Sequence, residues 1–200
     1  QQIIGQRGIF TTSIAYVLVQ QKQDKPHYSL EVADYDGHHP QTLVDSTGPI
    51  MSPAWSPDGR KIAFVSLAKD QAAIYVVNVA TGKLRNITEF PGINGAPAWS
   101  KDEKQLALVL SKNGHPKIYL DNLAANKLQR ITRGWSIDTE PSFTADSRHL
   151  IFTSKRGGGP QIYRISLKTH QIERLTFDGN YNTTGTLIDH GKKLIVLHQD

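Results

Sequence analysis

The residues that could do chemistry are few, and their spacing argues against most of the chemistry they suggest. Asp34-x-Asp36-Gly37 has the opening of a calcium loop, but the later ligand positions of that loop are missing, so a strand-to-strand turn accounts for it better. His38 and His39 are adjacent, and adjacent residues of a strand point to opposite faces, so a wet turn explains them more simply than a shared metal ion. Gly157-Gly158-Gly159-Pro160 falls at a hairpin and does not open a helix, which removes a phosphate cradle. No Gly-x-Ser-x-Gly elbow is present. The chain has no cysteine, which excludes disulfides, thiolate nucleophiles and zinc-thiolate sites together. The expectation is a non-enzymatic protein without metal or cofactor.

Carboxylates nevertheless gather in four stretches, 45–52, 89–96, 133–140 and 177–184. They hold Asp45, Glu89, Asp138, Glu140 and Asp178 against the single base Arg133, although the whole chain is formally +5. Phe90, Ile93, Trp135 and Tyr181 sit among them. The bland reading is that acids are common in turns and are simply solvated there. The functional alternative is an acidic mouth that draws in a cationic segment of another protein, with the apolar residues as anchors.

Whether these stretches meet depends on what carries them. Pro53-Ala54-Trp55-Ser56 returns as Pro97-Ala98-Trp99-Ser100 and as Pro141-Ser142-Phe143-Thr144, a step of 44 residues each time. Ile74-Tyr75, Ile118-Tyr119 and Ile162-Tyr163 keep the same step, as do Ile87-Thr88, Ile131-Thr132 and Leu175-Thr176. A constant period of this size marks a solenoid, an array or a propeller. Each unit reads as four short strands divided by turn chemistry, and runs such as Ile62-Ala63-Phe64-Val65 and Leu106-Ala107-Leu108-Val109 are apolar on both faces. A two-layer sandwich would expose one face of each sheet, whereas a propeller blade is covered on both, so the fold class expected is all-β, a β-propeller of four-stranded antiparallel blades. Repeats are placed at about 14–44, 53–88, 97–132, 141–176 and 185–200, about four blades and part of a fifth. Trp55, Trp99 and Phe143 should fill the wedges between blades rather than stack on a ligand. The connecting stretches should then converge at one mouth.

The composition fits an ordinary globular chain, 38% apolar and 20% charged. Its basic residues are scattered, which gives nucleic-acid binding little support. No run is long and apolar enough for a bilayer, and the first seven residues lack the pattern of a secretory signal.

Pro-Ala-Trp-Ser-Pro-Asp-Gly-Arg-Lys-Ile-Ala-Phe from Pro53, followed by Ile74-Tyr75-Val76, Thr81-Gly82 and Asn86-Ile87-Thr88, resembles the TolB-type propeller repeat. That repeat also occurs in the propellers of prolyl-oligopeptidase-like peptidases. Arg7-Gly8-Ile9-Phe10-Thr11-Thr12-Ser13-Ile14-Ala15-Tyr16-Val17, Asp34-Tyr35-Asp36-Gly37, Met51-Ser52-Pro53, Asn94-Gly95-Ala96-Pro97 and Thr139-Glu140-Pro141 are similar to the TolB family more narrowly. Lys101-Asp102-Glu103-Lys104 and Ala145-Asp146-Ser147-Arg148 depart from it by lacking the Pro-Asp-Gly turn.

The resemblance implies part of a six-bladed propeller. It further implies a periplasmic protein of the Tol-Pal system that binds the lipoprotein Pal, and TolA through an N-terminal domain these residues do not include. Such a protein would support outer-membrane integrity and invagination during division, with no direct membrane insertion. On that reading Ile93, Asn94, Gly95, Ala96, Asp138, Thr139 and Glu140 are the expected contacts. Asn94 and Thr139 would hydrogen-bond the partner, Gly95 and Ala96 would let its backbone approach, and Asp138 with Glu140 would face its basic groups. The rival is the gating propeller of a prolyl-oligopeptidase-like enzyme, which a hydrolase domain with a Gly-x-Ser-x-Gly motif after the propeller would betray.

Overall fold

The computed structural model describes residues 12–69 and 71–200, so the Arg7–Thr11 part of the family-like stretch lies outside the described residues. Five antiparallel sheets follow one another along the chain, each a simple meander. The first joins β1 (Ser13–Lys22), β2 (Lys25–Asp34) and β3 (Gln41–Ser46). Three four-stranded sheets come next: β4 (Ile50–Trp55) to β7 (Leu84–Thr88) through β5 (Lys61–Ser66) and β6 (Ala73–Asn78), then β8 (Asn94–Trp99), β9 (Gln105–Leu110), β10 (Lys117–Asn122) and β11 (Lys127–Arg130), then β12 (Asp138–Phe143), β13 (His149–Gly157), β14 (Gly159–Ser166) and β15 (Ile172–Arg174). The last pairs β16 (Tyr181–Ile188) with β17 (Lys193–Gln199) across a 3-10 turn at Asp189–Gly191.

The apolar runs show why these sheets stack radially. Successive residues of one strand enter different cores: Ile62 and Phe64 pack toward Leu30 and Val32 of the first sheet, while Ala63 and Val65 pack toward Trp99, Leu106, Leu108 and Leu110 of the next. Ala107, between Leu106 and Leu108, joins Leu150 and Phe152 of the sheet after that. The three wedges between the first four sheets are thus filled from both sides. Burial of each large side chain there contributes roughly 1.5 to 3 kcal/mol. Trp99 belongs to such a wedge and also bridges it, its indole N–H donating to the Ala54 carbonyl of the preceding sheet at 3.0 Å. Trp55 and Phe143 pack into neighbouring wedges.

The turns after β4, β8 and β12 share one construction despite their different sequences. Ser56, Ser100 and Thr144 donate to Asp58, Asp102 and Asp146 at 2.6, 2.7 and 2.6 Å, and Gly59, Glu103 and Ser147 all adopt positive φ. Glu103 and Ser147 replace glycine here at a conformational cost, and their side chains make bonds glycine cannot. The Glu103 carboxylate accepts the Asp58 N–H at 2.9 Å and the Ser147 hydroxyl accepts the Lys101 N–H at 2.9 Å, each from the preceding sheet. The departures from Pro-Asp-Gly therefore stitch neighbouring sheets together.

Candidate functional site

Strands β4, β8, β12 and β16 lie side by side, so the ends at which they begin gather on one face. Each is interrupted by the same bulge. Met51 pairs with Val65 and Ala54 with Ala63, leaving Ser52 and Pro53 opposite one residue, and the register breaks likewise after Gly95, Thr139 and Thr183. Ser52, Ala96, Glu140 and Thr184, one repeat apart, take φ of 51°, 45°, 53° and 56°. The cause is legible for the first three, because the following residue is Pro53, Pro97 or Pro141, which has no N–H to give a ladder. Bulges re-aim side chains, and backbone strain of this kind concentrates at functional sites.

The predicted contact residues separate into two groups. Gly95, Ala96, Thr139 and Glu140 are half-buried and Ile93 is exposed. A Cβ on Gly95 would meet only Ile93, at 3.9 Å, so open space lies before it. The Glu140 carboxylate accepts the Thr153 hydroxyl at 2.6 Å, and from the next sheet the Thr184 N–H at 2.9 Å and its hydroxyl at 3.3 Å.

Asn94 and Asp138 behave otherwise, and here the expectation of direct contact needs correction. The Asn94 side chain is buried and closes its own loop, accepting from the Phe90 N–H at 3.1 Å and donating to the carbonyls of Phe90 and Gly92 at 2.5 and 3.2 Å. Asp138 is 0% exposed and cannot face a partner's basic groups. Its carboxylate takes Lys117, itself 1% exposed, at 3.0 Å, Arg156 at 3.0 Å, Ser154 at 2.6 Å and Ser136 at 3.2 Å. Burial alone would push this carboxyl up, but donation from Ser154, Lys117 and Arg156 outweighs it and holds the group below the usual carboxylate range. Lys117 also donates to the Ser136 carbonyl, which ties the 133–137 connection to the cluster.

Lys117 and Arg156 did not stand out in the sequence, although one signal was there. Lys117 occupies the repeat position of Ala73 and Gln161, and its partner Asp138 that of Asn94 and Asn182. One repeat on, the Asn182 amide donates to the Gln161 side chain at 3.0 Å and to the Asp178 carbonyl at 2.8 Å. A charge at a repeat position that is elsewhere small or neutral needs an opposite charge nearby.

The acidic mouth is correspondingly weaker than the counted charges suggest. Asp138 is neutralised from inside, Asp45 pairs with His27, and Glu89 accepts from the Asn86 side chain at 2.9 Å. The apolar content is what stands out. Ile93, Ile137 and Tyr181, again one repeat apart, are all exposed, and Trp135 is 86% exposed with its ring against His115 at 6.0 Å. Gly92 holds its loop in a shape other residues resist, with φ of 85° and a missing Cβ that would collide with the Ser111 hydroxyl. Ser111 in turn accepts the Ile93 N–H at 2.7 Å. Around Asp34 and Asp36 the turn is local, with the His38 N–H on Asp36 at 3.1 Å and the His39 ring on Asp34 at 2.8 Å.

Comparison with known proteins decides between families that share this architecture. A family profile described as the TolB beta propeller domain matches residues 1–200. The chain belongs to the TolB β-propeller family. The Tol-Pal system protein TolB of Legionella pneumophila is 57% identical over 96 residues, 48% of this chain and 23% of that protein. Its counterpart in Coxiella burnetii is 55% identical over 98 residues, 48% of this chain and 22% of that protein. The crystal structure of TolB from Acinetobacter baumannii superposes with a TM-score of 0.89 at 44% identity, over 96% of this chain and 48% of that one. This TolB-family chain thus spans about half the length of that structure and under a quarter of those curated relatives in the matched segments. A puromycin hydrolase also superposes, with a TM-score of 0.74 over 90% of this chain, but at 12% identity it shares the propeller alone.

Proposed function

We propose that the chain is a non-enzymatic docking module of the Tol-Pal system that works in the periplasm, binds Pal at the mouth where β4, β8, β12 and β16 begin, and so supports outer-membrane integrity and invagination during division. The observation that carries this reading is the set Ile93, Ile137 and Tyr181, an exposed apolar residue at the same repeat position of three connections, with Trp135 and Phe177 exposed in the same loops. Exposed aromatic and aliphatic anchors on a rigid rim are what protein-protein hot spots are made of. Ile93, Gly95, Ala96, Thr139 and Glu140 would contact the partner. Asn94 and Asp138 would hold the loops that present it. TolA would be engaged by a part of the protein outside these residues. No helix among the described residues is long and apolar enough to cross a membrane.

Calorimetric titration with Pal tests the proposal. Trp135→Ala and Ile93→Asp should each weaken binding by about 2 kcal/mol, the scale of a hot-spot residue. Unchanged affinity in both variants, with the fold intact, would remove the mouth as the docking site.

A further inference from the structure

At the end of β8 away from Asn94, the β4–β7 and β8–β11 sheets leave a groove of about 430 Å³. Its walls are apolar, formed by Val76, Ile87, Trp99 and Leu123. Its rim is basic. Lys61, Lys83, Arg85 and Lys104 line it with only one acid, Glu103, and Asp121 lies behind Arg85. Lys61 is drawn to Glu103 at 3.5 Å and lies 5.9 Å from the centre of the Trp99 ring. Arg85 donates to the Leu123 carbonyl at 3.2 Å. Lys83 and Lys104 are exposed, and Lys104 acts on the neighbouring Asp102 carboxyl, which it helps to hold low. Burial pushes the Asp121 carboxyl up while the charge of Arg85 works against that.

The groove is not a by-product of the repeat. One step on, Gln105, Lys127, Gln129 and Arg148 stand in place of Lys61, Lys83, Arg85 and Lys104, and Phe143 in place of Trp99. Lys61 and Arg85 have no charged equivalent one repeat before or after, where Val17 and Gln41 or Gln105 and Gln129 stand, whereas the indole recurs at Trp55.

An apolar trough with excess positive charge along its lip matches a ligand that is itself divided. We propose that the groove binds an amphipathic organic anion, an apolar aromatic or acyl body lying against Trp99, Ile87 and Leu123 with a single carboxylate, sulfonate or phosphate head met by Lys83, Arg85 and Lys104. The volume falls in the lower part of the range of small-ligand sites, roughly 300 to 1,000 Å³. The site is at the opposite end of β8 from the proposed partner mouth, so it stands or falls independently of Pal docking.

The test uses 8-anilinonaphthalene-1-sulfonate as probe, read by its fluorescence, with dodecanoate and acetate as competitors. Saturable binding of one probe per chain is expected, displaced by dodecanoate and not by acetate at equal concentration. Arg85→Glu with Lys104→Glu should weaken it at least about tenfold, whereas reversing two cations of the next repeat, Lys127→Glu with Arg148→Glu (the equivalents of Lys83 and Lys104), should leave it within about twofold. Should the first pair fail to keep its circular dichroism spectrum, Arg85→Gln with Lys104→Gln replaces it, with the same direction expected. No saturable binding, equal loss in both pairs, or displacement by acetate as readily as by dodecanoate would overturn the proposal.

Discussion

Glu140 and Thr184 occupy the same position one repeat apart, and the carboxylate of the first accepts the backbone N–H of the second at 2.9 Å. Both residues are in the left-handed region, so each bulge exposes a peptide group that the ladder does not use. Glu140 satisfies the one on the next sheet. The bond ties β12 to β16 at the rim of the proposed docking face, which couples the rigidity of that rim to a side chain also proposed to touch the partner.

Glu140→Ala should accordingly cost stability as well as binding. Loss of a carboxylate that accepts from both Thr153 and Thr184 is expected to lower the unfolding free energy by about 1 to 2 kcal/mol. Thr153→Val in the same background should then cost less than it does alone, which urea unfolding of the two singles and the double can read. Purely additive effects would show that the three residues do not act as a unit.

The buried pair Lys117–Asp138 gives a sharper contrast. Asp138→Ala leaves a lysine that is 1% exposed without its carboxylate and should cost about 3 to 5 kcal/mol. Lys117→Gln combined with Asp138→Asn installs the amide pair that Gln161 and Asn182 form one repeat later, and should recover most of that loss. A double variant as unstable as Asp138→Ala would mean that the charges, and not the filled and hydrogen-bonded site, are required.

Acid sensitivity follows from the same carboxylates. Asp138 is held below its ordinary value against the pull of burial by Ser154, Lys117 and Arg156, and Asp58, Asp102 and Asp146 are lowered chiefly by Ser56, Ser100 and Thr144. The unfolded chain, with aspartates near about 3.9, binds more protons in this window than the folded one. Their contribution is therefore complete above about pH 5 and drains as pH falls through the lowered folded values. Asp121, pushed up by burial, works in the opposite sense over the pH range just above its unfolded value. Urea midpoints taken from pH 7 down to pH 3 should fall, and Asp138→Asn should flatten the curve. An equal slope in that variant would clear Asp138 of the effect.

What the sequence made legible was set by the repeat. Trp55, Trp99 and Phe143 pointed to the wedges because large apolar residues at a structural repeat are usually core, and the two-sided apolar run from Ile62 to Val65 pointed to a sheet covered on both faces. The bulge was half visible in Pro53, Pro97 and Pro141. The role of Asp138 was not, because counting charges along a connection says nothing about which strand across the sheet boundary supplies Lys117. Glu103 and Ser147 looked like eroded turns for the same reason, their partners Asp58 and Lys101 lying on the neighbouring sheet.

Equivalent threonines provide a control within the molecule. The Thr132 and Thr176 hydroxyls accept the N–H groups of Ile118 and Ile162 at 3.0 and 2.9 Å, while the buried Thr88 hydroxyl has no partner among the described residues. Thr132→Val should thus cost about 1 to 2 kcal/mol, but Thr88→Val should be neutral or stabilising, since it removes an unpaired polar atom at nearly constant shape. Thermal unfolding of both variants checks this, and equal losses would refute the distinction.

Ala96 carries the bulge strain without a side-chain hydrogen bond to offset it. Its φ of 45° is unfavourable for any residue with a Cβ, and unlike Glu140 it has no polar side chain to bond the next sheet. Ala96→Gly should stabilise the chain by about 0.4 to 1 kcal/mol, because the strain it relieves in the folded state exceeds the added freedom of the unfolded chain. Glu140→Gly, at the same conformation, should destabilise, because the carboxylate goes with the strain. A melting temperature lowered by Ala96→Gly would mean that the methyl group packs against the rim strongly enough to outweigh its backbone cost, and that all four bulges are held for packing rather than to present the mouth.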